Sequence, residues 1–305
     1  MVSDAWHSSQ TQCQIGFPLG YAKQMNIVRK SVNSASIGYL SPVILARDSH
    51  ATKSGIRYQL LRQLGRVLKF SFYQTLRNEN GFSRSAYGVW LRNRDDNTFL
   101  FCLRGNYGYA YSQHIRQHNQ PFSYLDIGAN IGLYSLIALE NKHLNHVHCF
   151  DPDSATLPYL YSNLEHTKSL NYTVHPYAVS AEAGTLVLSK EAGHSGASTV
   201  QAPTFDSAAQ ETITAVNHEY LNDQLKGDSN PILVKLDVEG HELTVLETLR
   251  NCDFFERISE IYAEFNTVMS DTESLQKWFV TNGFVETMHM GTETHWDSLY
   301  QRSIA

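Results

Sequence analysis

The sequence predicts an α/β fold: a mostly parallel sheet with helices on both faces, ending in an antiparallel hairpin. Three observations carry this. From Phe122 onward, short apolar runs alternate with stretches of helical periodicity. The loop Asp126-Ile127-Gly128-Ala129-Asn130-Ile131-Gly132 follows the first run and opens a helix. The last two runs, 284–290 and 297–302, are joined by a loop containing Gly291, too short to hold a helix, so they pair antiparallel.

Ahead of this pattern, residues 1–121 are expected to form a basic extension, and residues 122–305 the main domain. Residues 1–120 hold 15 Lys and Arg against 5 Asp and Glu, which leaves 9 against 25 for residues 121–305 of a chain with net charge −6. A basic segment of this kind docks on the acidic domain or attracts an anionic substrate or membrane surface. Ile56, Leu60, Leu61, Leu64, Val67, Leu68 and Phe72 share one helical face, with Arg57, Arg62, Arg66 and Lys69 elsewhere, so residues 56–72 read as a basic amphipathic helix. That helix packs on its own protein or makes peripheral membrane contact. Runs at 87–91 and 98–103 flank the polar stretch 93–97 and read as a β-hairpin.

Within the main domain the strand candidates are 123–127, 146–150, 172–179, 232–236, 258–265, 284–290 and 297–302, with helices starting near Ile131, Ser154, His241 and Asp271. The runs between Thr185 and Val216 are extra strands or a substrate-facing insertion. No run approaches the roughly 18 apolar residues of a membrane span, and the first 30 residues lack a secretory core, so a cytoplasmic location is expected. Cys13, Cys102, Cys149 and Cys252 are widely spaced, which indicates neither a zinc knuckle nor a disulfide framework.

Gly128 and Gly132 lie where missing Cβ atoms let the backbone turn and approach a ligand. The loop reads DxGxNxG rather than the GxGxxG of a dinucleotide site. Asn130 holds the middle position, and the acidic Asp126 on the strand before it suits a cofactor bearing an ammonium group better than one bearing a pyrophosphate. Asp151, 19 residues beyond Gly132 at the tip of the second strand, can accept from both ribose hydroxyls of an adenosine; the alternative is a helix N-cap. The apolar strand 232–236 delivers Asp237, Glu239, His241 and Glu242 to the sheet edge where ligands of α/β proteins bind. These four are the candidate catalytic residues, Glu242 also being a candidate helix cap.

These elements resemble the FkbM family of methyltransferases over about residues 122–290. The matching pieces are the loop 126–132, Phe150-Asp151-Pro152 followed by Asn163-Leu164, Ala178-Val179-Ser180, Ala197-Ser198-Thr199, Lys235 through Glu242, and Ala263-Glu264-Phe265. The family commonly carries Glu where Asp151 stands and glycine where Ala197 stands. The resemblance implies a class I methyltransferase Rossmann-like fold, S-adenosylmethionine as cofactor, and O-methylation of a sugar or natural-product hydroxyl. Methyl transfer from a sulfonium chiefly requires alignment, and an alcohol acceptor also benefits from a base.

Three other functions compete with this one. A non-catalytic adenosine-binding module would not need the acidic cluster, and an NAD-dependent oxidoreductase would show GxGxxG. A nucleic-acid methyltransferase could use the basic extension, with Tyr107, Tyr109 and Tyr111 stacking on bases. None of the 14 histidines forms an HExxH-type set, so no metal is expected, although magnesium between Asp237 and the acceptor is conceivable.

Overall fold

The protein is described by a computed structural model over residues 81–105, 108–202 and 209–303. The helix expected over 56–72 lies outside these residues, as does Tyr107.

Seven strands form the main sheet. In chain order they are β3 (Phe122–Ile127), β4 (Leu144–Phe150), β5 (Tyr172–His175), β10 (Ile232–Leu236), β11 (Ile258–Asn266), β12 (Phe284–Gly291) and β13 (His295–Arg302). In space the order is β12-β13-β11-β10-β3-β4-β5. β5, β4, β3, β10 and β11 are mutually parallel, and β13 runs antiparallel between β11 and β12. The expected C-terminal hairpin is therefore present. β3 has neighbours reached in opposite directions along the chain, so the cleft above its C-terminal end is the topological switch point of the sheet.

Strand alternation separates two apolar layers. Phe122 and Tyr124 of β3, Leu233 of β10 and Tyr262 of β11 face one core, shared with α2 (Tyr109–Gln117) and α3 (Leu133–Leu139). Leu125 and Ile127, Val234 and Leu236, and Ile261 and Phe265 face the other, packed against α5 (His218–Gln224), α6 (Glu242–Arg250) and α7 (Thr272–Thr281). Helices thus cover both faces, and burial on both sides explains the near-continuous apolar run Ile232-Leu233-Val234.

The N-terminal hairpin differs from the sequence expectation. β1 (Phe82–Arg84) pairs with β2 (Trp90–Arg92), whereas Asn97–Arg104 is helix α1. The polar stretch before it is a helix start: Asp96 accepts from the Phe99 backbone N–H at 3.1 Å, and Gly105 closes the helix at φ 65°. Tyr109 and Tyr111 lie on α2 and are buried, with Tyr111 stacked on Tyr262 at 3.8 Å.

Residues 172–179 divide between two sheets at Pro176-Tyr177. β5 joins the main sheet, while β6 (Ala178–Val179) joins β7 (Gly184–Glu191), β8 (His194–Thr199) and β9 (Ala209–Val216) in the order β6-β9-β7-β8. The runs between Thr185 and Val216 are therefore strands, and β8 packs on α1 to wall the cleft. Among the described residues no helix is long and apolar enough to cross a membrane.

Candidate active site

A cavity of about 390 Å³ opens at the C-terminal ends of β3, β4 and β10. Gly128, Asn130, Asp151, Asp237, Glu239 and His241 line it; Asp126, Gly132 and Glu242 do not. The sequence thus places six of its nine candidates at one cleft, and the other three hold its walls.

The loop after β3 is built on left-handed backbone. Gly128 has φ 79°, and a Cβ there would overlap the Asp237 carbonyl oxygen, so only glycine lets the ends of β3 and β10 lie this close. Asn130 adopts φ 49°, its Oδ1 accepting from the Ile131 backbone N–H at 2.9 Å. Gly132, at φ 82°, opens α3 where a Cβ would press on Leu160. Asp126 is 1% exposed and turned toward α3, where it accepts from the Ser135 backbone N–H at 3.1 Å and from Ser135 Oγ at 2.5 Å. It ties strand to helix and does not reach the cleft.

Asp151, at the tip of β4, accepts from the Asn130 backbone N–H at 2.8 Å and from that of Asp153 at 3.0 Å. Burial outweighs both bonds and pushes its carboxyl up to about 7. The carboxyl faces the cavity with acceptor capacity left over, a donor–acceptor match for the vicinal hydroxyls of a ribose. The alternative of a helix N-cap is not what Asp151 does: helix α4 (Leu157–His166) begins after Thr156 without a side-chain cap bond, and Asp153 orders the turn before it, its Oδ1 accepting from Ala155 N–H at 2.9 Å and its Oδ2 from Thr156 Oγ1 at 2.8 Å.

Beyond β10 the chain makes a tight acidic turn. Glu239 sits at φ 51°, with its carbonyl accepting from Thr199 Oγ1 at 2.6 Å. Glu242 is buried and reaches back, accepting from the N–H groups of Val238 and Gly240 at 3.2 and 3.0 Å and from Ser270 Oγ at 2.7 Å. It fixes the turn from behind. His241 has both ring nitrogens engaged, Nδ1 with the Gln201 amide at 3.3 Å and Nε2 with Ser180 Oγ at 3.1 Å. Burial lowers its pKa, so the ring is neutral at pH 7.

Two further residues belong to the site. Lys235, 3% exposed on the lining of the cleft, donates to the Gly128 carbonyl at 2.6 Å and lies 3.1 Å from Asp237 Oδ2 and 3.9 Å from Asp126 Oδ1. Burial opposes its charge, but Asp237 and Asp126 prevail and hold its pKa above that of a free lysine. Glu264, from β11, lines the cavity beside Asp237 and is held by His295 Nε2 at 2.5 Å. Burial first, then the charge of Asp237, drives Glu264 well above the usual carboxylate range; burial and the charges of Glu264 and Asp237 raise Glu239 likewise. The signal for both residues is a charged side chain inside a buried strand, in ILVKL and IYAEF.

Asp237, Glu239 and Glu264 each offer an oxygen within 4.8 Å of the others. Three carboxyls so crowded suit a cationic guest. The sulfonium and ammonium of S-adenosylmethionine have that charge, and the set could also hold a divalent cation.

In fold comparisons the chain is similar to TrmK of M. capricolum solved with S-adenosylhomocysteine, at 14% identity over 63% of this chain and 68% of that one, with TM-score 0.37. It is also similar to an rRNA methylase from Streptococcus thermophilus, at 8% identity over 64% and 96% and TM-score 0.40. A third is precorrin-6y C5,15-methyltransferase from Geobacter metallireducens GS-15, at 11% identity over 64% and 87% and TM-score 0.36. No curated protein matches the chain in sequence. The family model of the methyltransferase FkbM domain matches residues 126–286, which is more than half of the chain and spans the cavity loop, Asp151, the acidic turn and Glu264. The chain belongs to the FkbM family and is an S-adenosylmethionine-dependent methyltransferase.

Proposed function

We propose that the enzyme methylates a hydroxyl oxygen of a small-molecule or glycan acceptor, with Asp237 as general base. The observation that carries this reading is the division of roles among the acidic side chains. Glu239 and Glu264 are pushed toward the neutral form by burial and crowding. Glu242 is committed to the turn and His241 to Ser180 and Gln201. Asp237 lines the cavity with the Lys235 ammonium as its counterion, so it is the carboxylate placed to take a proton from an acceptor hydroxyl.

Asp151 would hold the ribose hydroxyls, with the backbone of 128–130 against the adenosine and the acidic trio toward the cationic end. The cofactor supplies a methyl carbon already activated by its sulfonium. What remains for the chain is alignment, exclusion of water and removal of one proton; base catalysis contributes on the order of 10²- to 10⁴-fold.

A small acceptor is favoured over nucleic acid by two observations. Tyr109 and Tyr111 are enclosed in the core and offer no stacking face for bases. Residues 121–305 carry 25 acidic against 9 basic residues, a charge that repels phosphate backbones. The test is transfer of a tritiated methyl group from S-adenosylmethionine to glycan, nucleoside and RNA pools. Label in alkali-stable ethers of small glycans or hydroxylated products supports the reading; label confined to RNA contradicts it.

A further inference from the structure

On the same face of β11 as Glu264, but toward the opposite end of the strand, three side chains meet that methyl transfer does not use. His114 is in the last turn of α2 and His118 caps its C-terminus, an i, i+4 pair in the segment His114-Ile115-Arg116-Gln117-His118. Glu260, from β11, is buried and points at both. His114 Nε2 is 2.6 Å from Glu260 Oε2, and one ligand atom from each of the three lies within 4.8 Å of the others.

Two details set this cluster apart from an ordinary ion pair. The Nε2 atom of His118 is shut off from solvent and has no hydrogen-bond partner among the described residues, an arrangement that is unfavourable unless something fills it. Its ring is held against the edge of Phe122 at 4.9 Å, which fixes where Nε2 points. The second oxygen of Glu260, Oε1, accepts from the Gln301 amide at 2.8 Å, the kind of supporting bond that orients a carboxylate ligand.

We infer that His114, His118 and Glu260 form a binding site for a zinc-type divalent cation that clamps α2 to the main sheet. Two imidazole nitrogens and one carboxylate make a donor set suited to zinc, with a fourth position left for water. For His114 Nε2 to bind the metal, the proton in its bond with Glu260 must leave that nitrogen, passing to solvent from a charged ring or by way of solvent to Nδ1 of a neutral one, so that the ligand is a neutral imidazole and both atoms turn to the metal. Glu260 and Glu264 are four residues apart, about 13 Å along a strand, and the stacked pair Tyr111–Tyr262 lies between the two sites. The metal would therefore brace the wall of the active site without entering it.

The test uses protein freed of metal by chelator and titrated with Co²⁺, then Zn²⁺, following the cobalt absorption bands and the thermal midpoint. One equivalent bound at submicromolar Kd, with a zinc-dependent rise in Tm, is expected. His118→Gln and Glu260→Gln should each weaken binding at least tenfold, while S-adenosylhomocysteine binding shows that the variants remain folded. Gln301→Ala, a milder change outside the ligand set, should weaken zinc roughly tenfold and serves if the other variants misfold. Absence of zinc binding by the wild-type protein, or equal binding by wild type and the variants, would overturn the site.

Discussion

Lys235 and Asp237 lie two residues apart at the end of β10, with Nζ 3.1 Å from Oδ2, and the same ammonium donates to the Gly128 carbonyl at 2.6 Å. One buried cation thus joins the loop after β3 to the acidic turn. Removing it by Lys235→Met leaves Asp126 and Asp237 enclosed without a counterion, a change that costs about 3–5 kcal/mol. For a chain of this size we expect the thermal midpoint to fall by roughly 6–20 °C. A fall of less than about 3 °C would mean that the ammonium does not bind these strands together.

Gly128 is the second fixed point of that junction. Gly128→Ala would force a Cβ into the Asp237 carbonyl at a left-handed φ, so destabilisation of about 3 kcal/mol or more is expected. Gly184→Ala is the control, since that glycine meets no neighbouring atom and needs no positive φ; it should change stability by no more than about 0.5 kcal/mol. Denaturant unfolding of the two variants measures the difference, and equal effects would contradict the close approach of the strands.

Asp151 gives the site a pH signature. Its carboxyl, at about 7 in the folded protein, lies above the ~3.9 of an unfolded aspartate. Its folded state is thus most favoured below pH 4 and loses that advantage as pH rises through 7. Two ribose hydroxyls donating to the carboxylate favour the ionised form. S-adenosylhomocysteine should therefore bind more tightly at pH 8 than at pH 6 in the wild type, by up to about tenfold per pH unit below the pKa. In Asp151→Asn this contribution disappears and the affinity is weaker throughout. Calorimetric titration at the two pH values tests this; an unaltered pH dependence in the variant would separate Asp151 from the cofactor.

The parallel sheet was legible because its strands are buried on both faces and read as apolar runs punctuated by helix starts. Asp271 is one such start, accepting from the Ser274 N–H at 3.1 Å where a helix was expected. The region 97–104 misled because TFLFCL has the composition of a strand. What decides it is local: Asp96 caps the first turn, and Phe99, Cys102 and Leu103 share one helical face. The tyrosine alternation at 107–111 has the period of a strand, yet Tyr109 and Tyr111 belong to a helix whose partner is Tyr262, a contact 151 residues away that no local pattern contains.

At the site, glycine spacing and strand-end acids located the cleft but not the direction in which each side chain turns. Asp126 precedes the loop in sequence, and its strand face turns it to Ser135. Glu242 follows the acidic cluster and folds back onto Gly240. Lys235 and Glu264 stand in segments that carry the family resemblance, but strand position alone does not mark them as site residues; the signal is that a charge inside a buried strand requires a partner. The same reasoning applies to Glu260, whose partners begin with His114.

The most direct measurement of the proposed chemistry pairs turnover with cofactor affinity in Asp237→Asn. Methyl transfer should fall by about 10²- to 10⁴-fold, while the Kd for S-adenosylhomocysteine stays within about threefold of wild type, because the variant keeps the shape of the cleft and the ribose role proposed for Asp151 does not involve Asp237. Unchanged turnover, or loss of cofactor binding in step with turnover, would contradict Asp237 as the base.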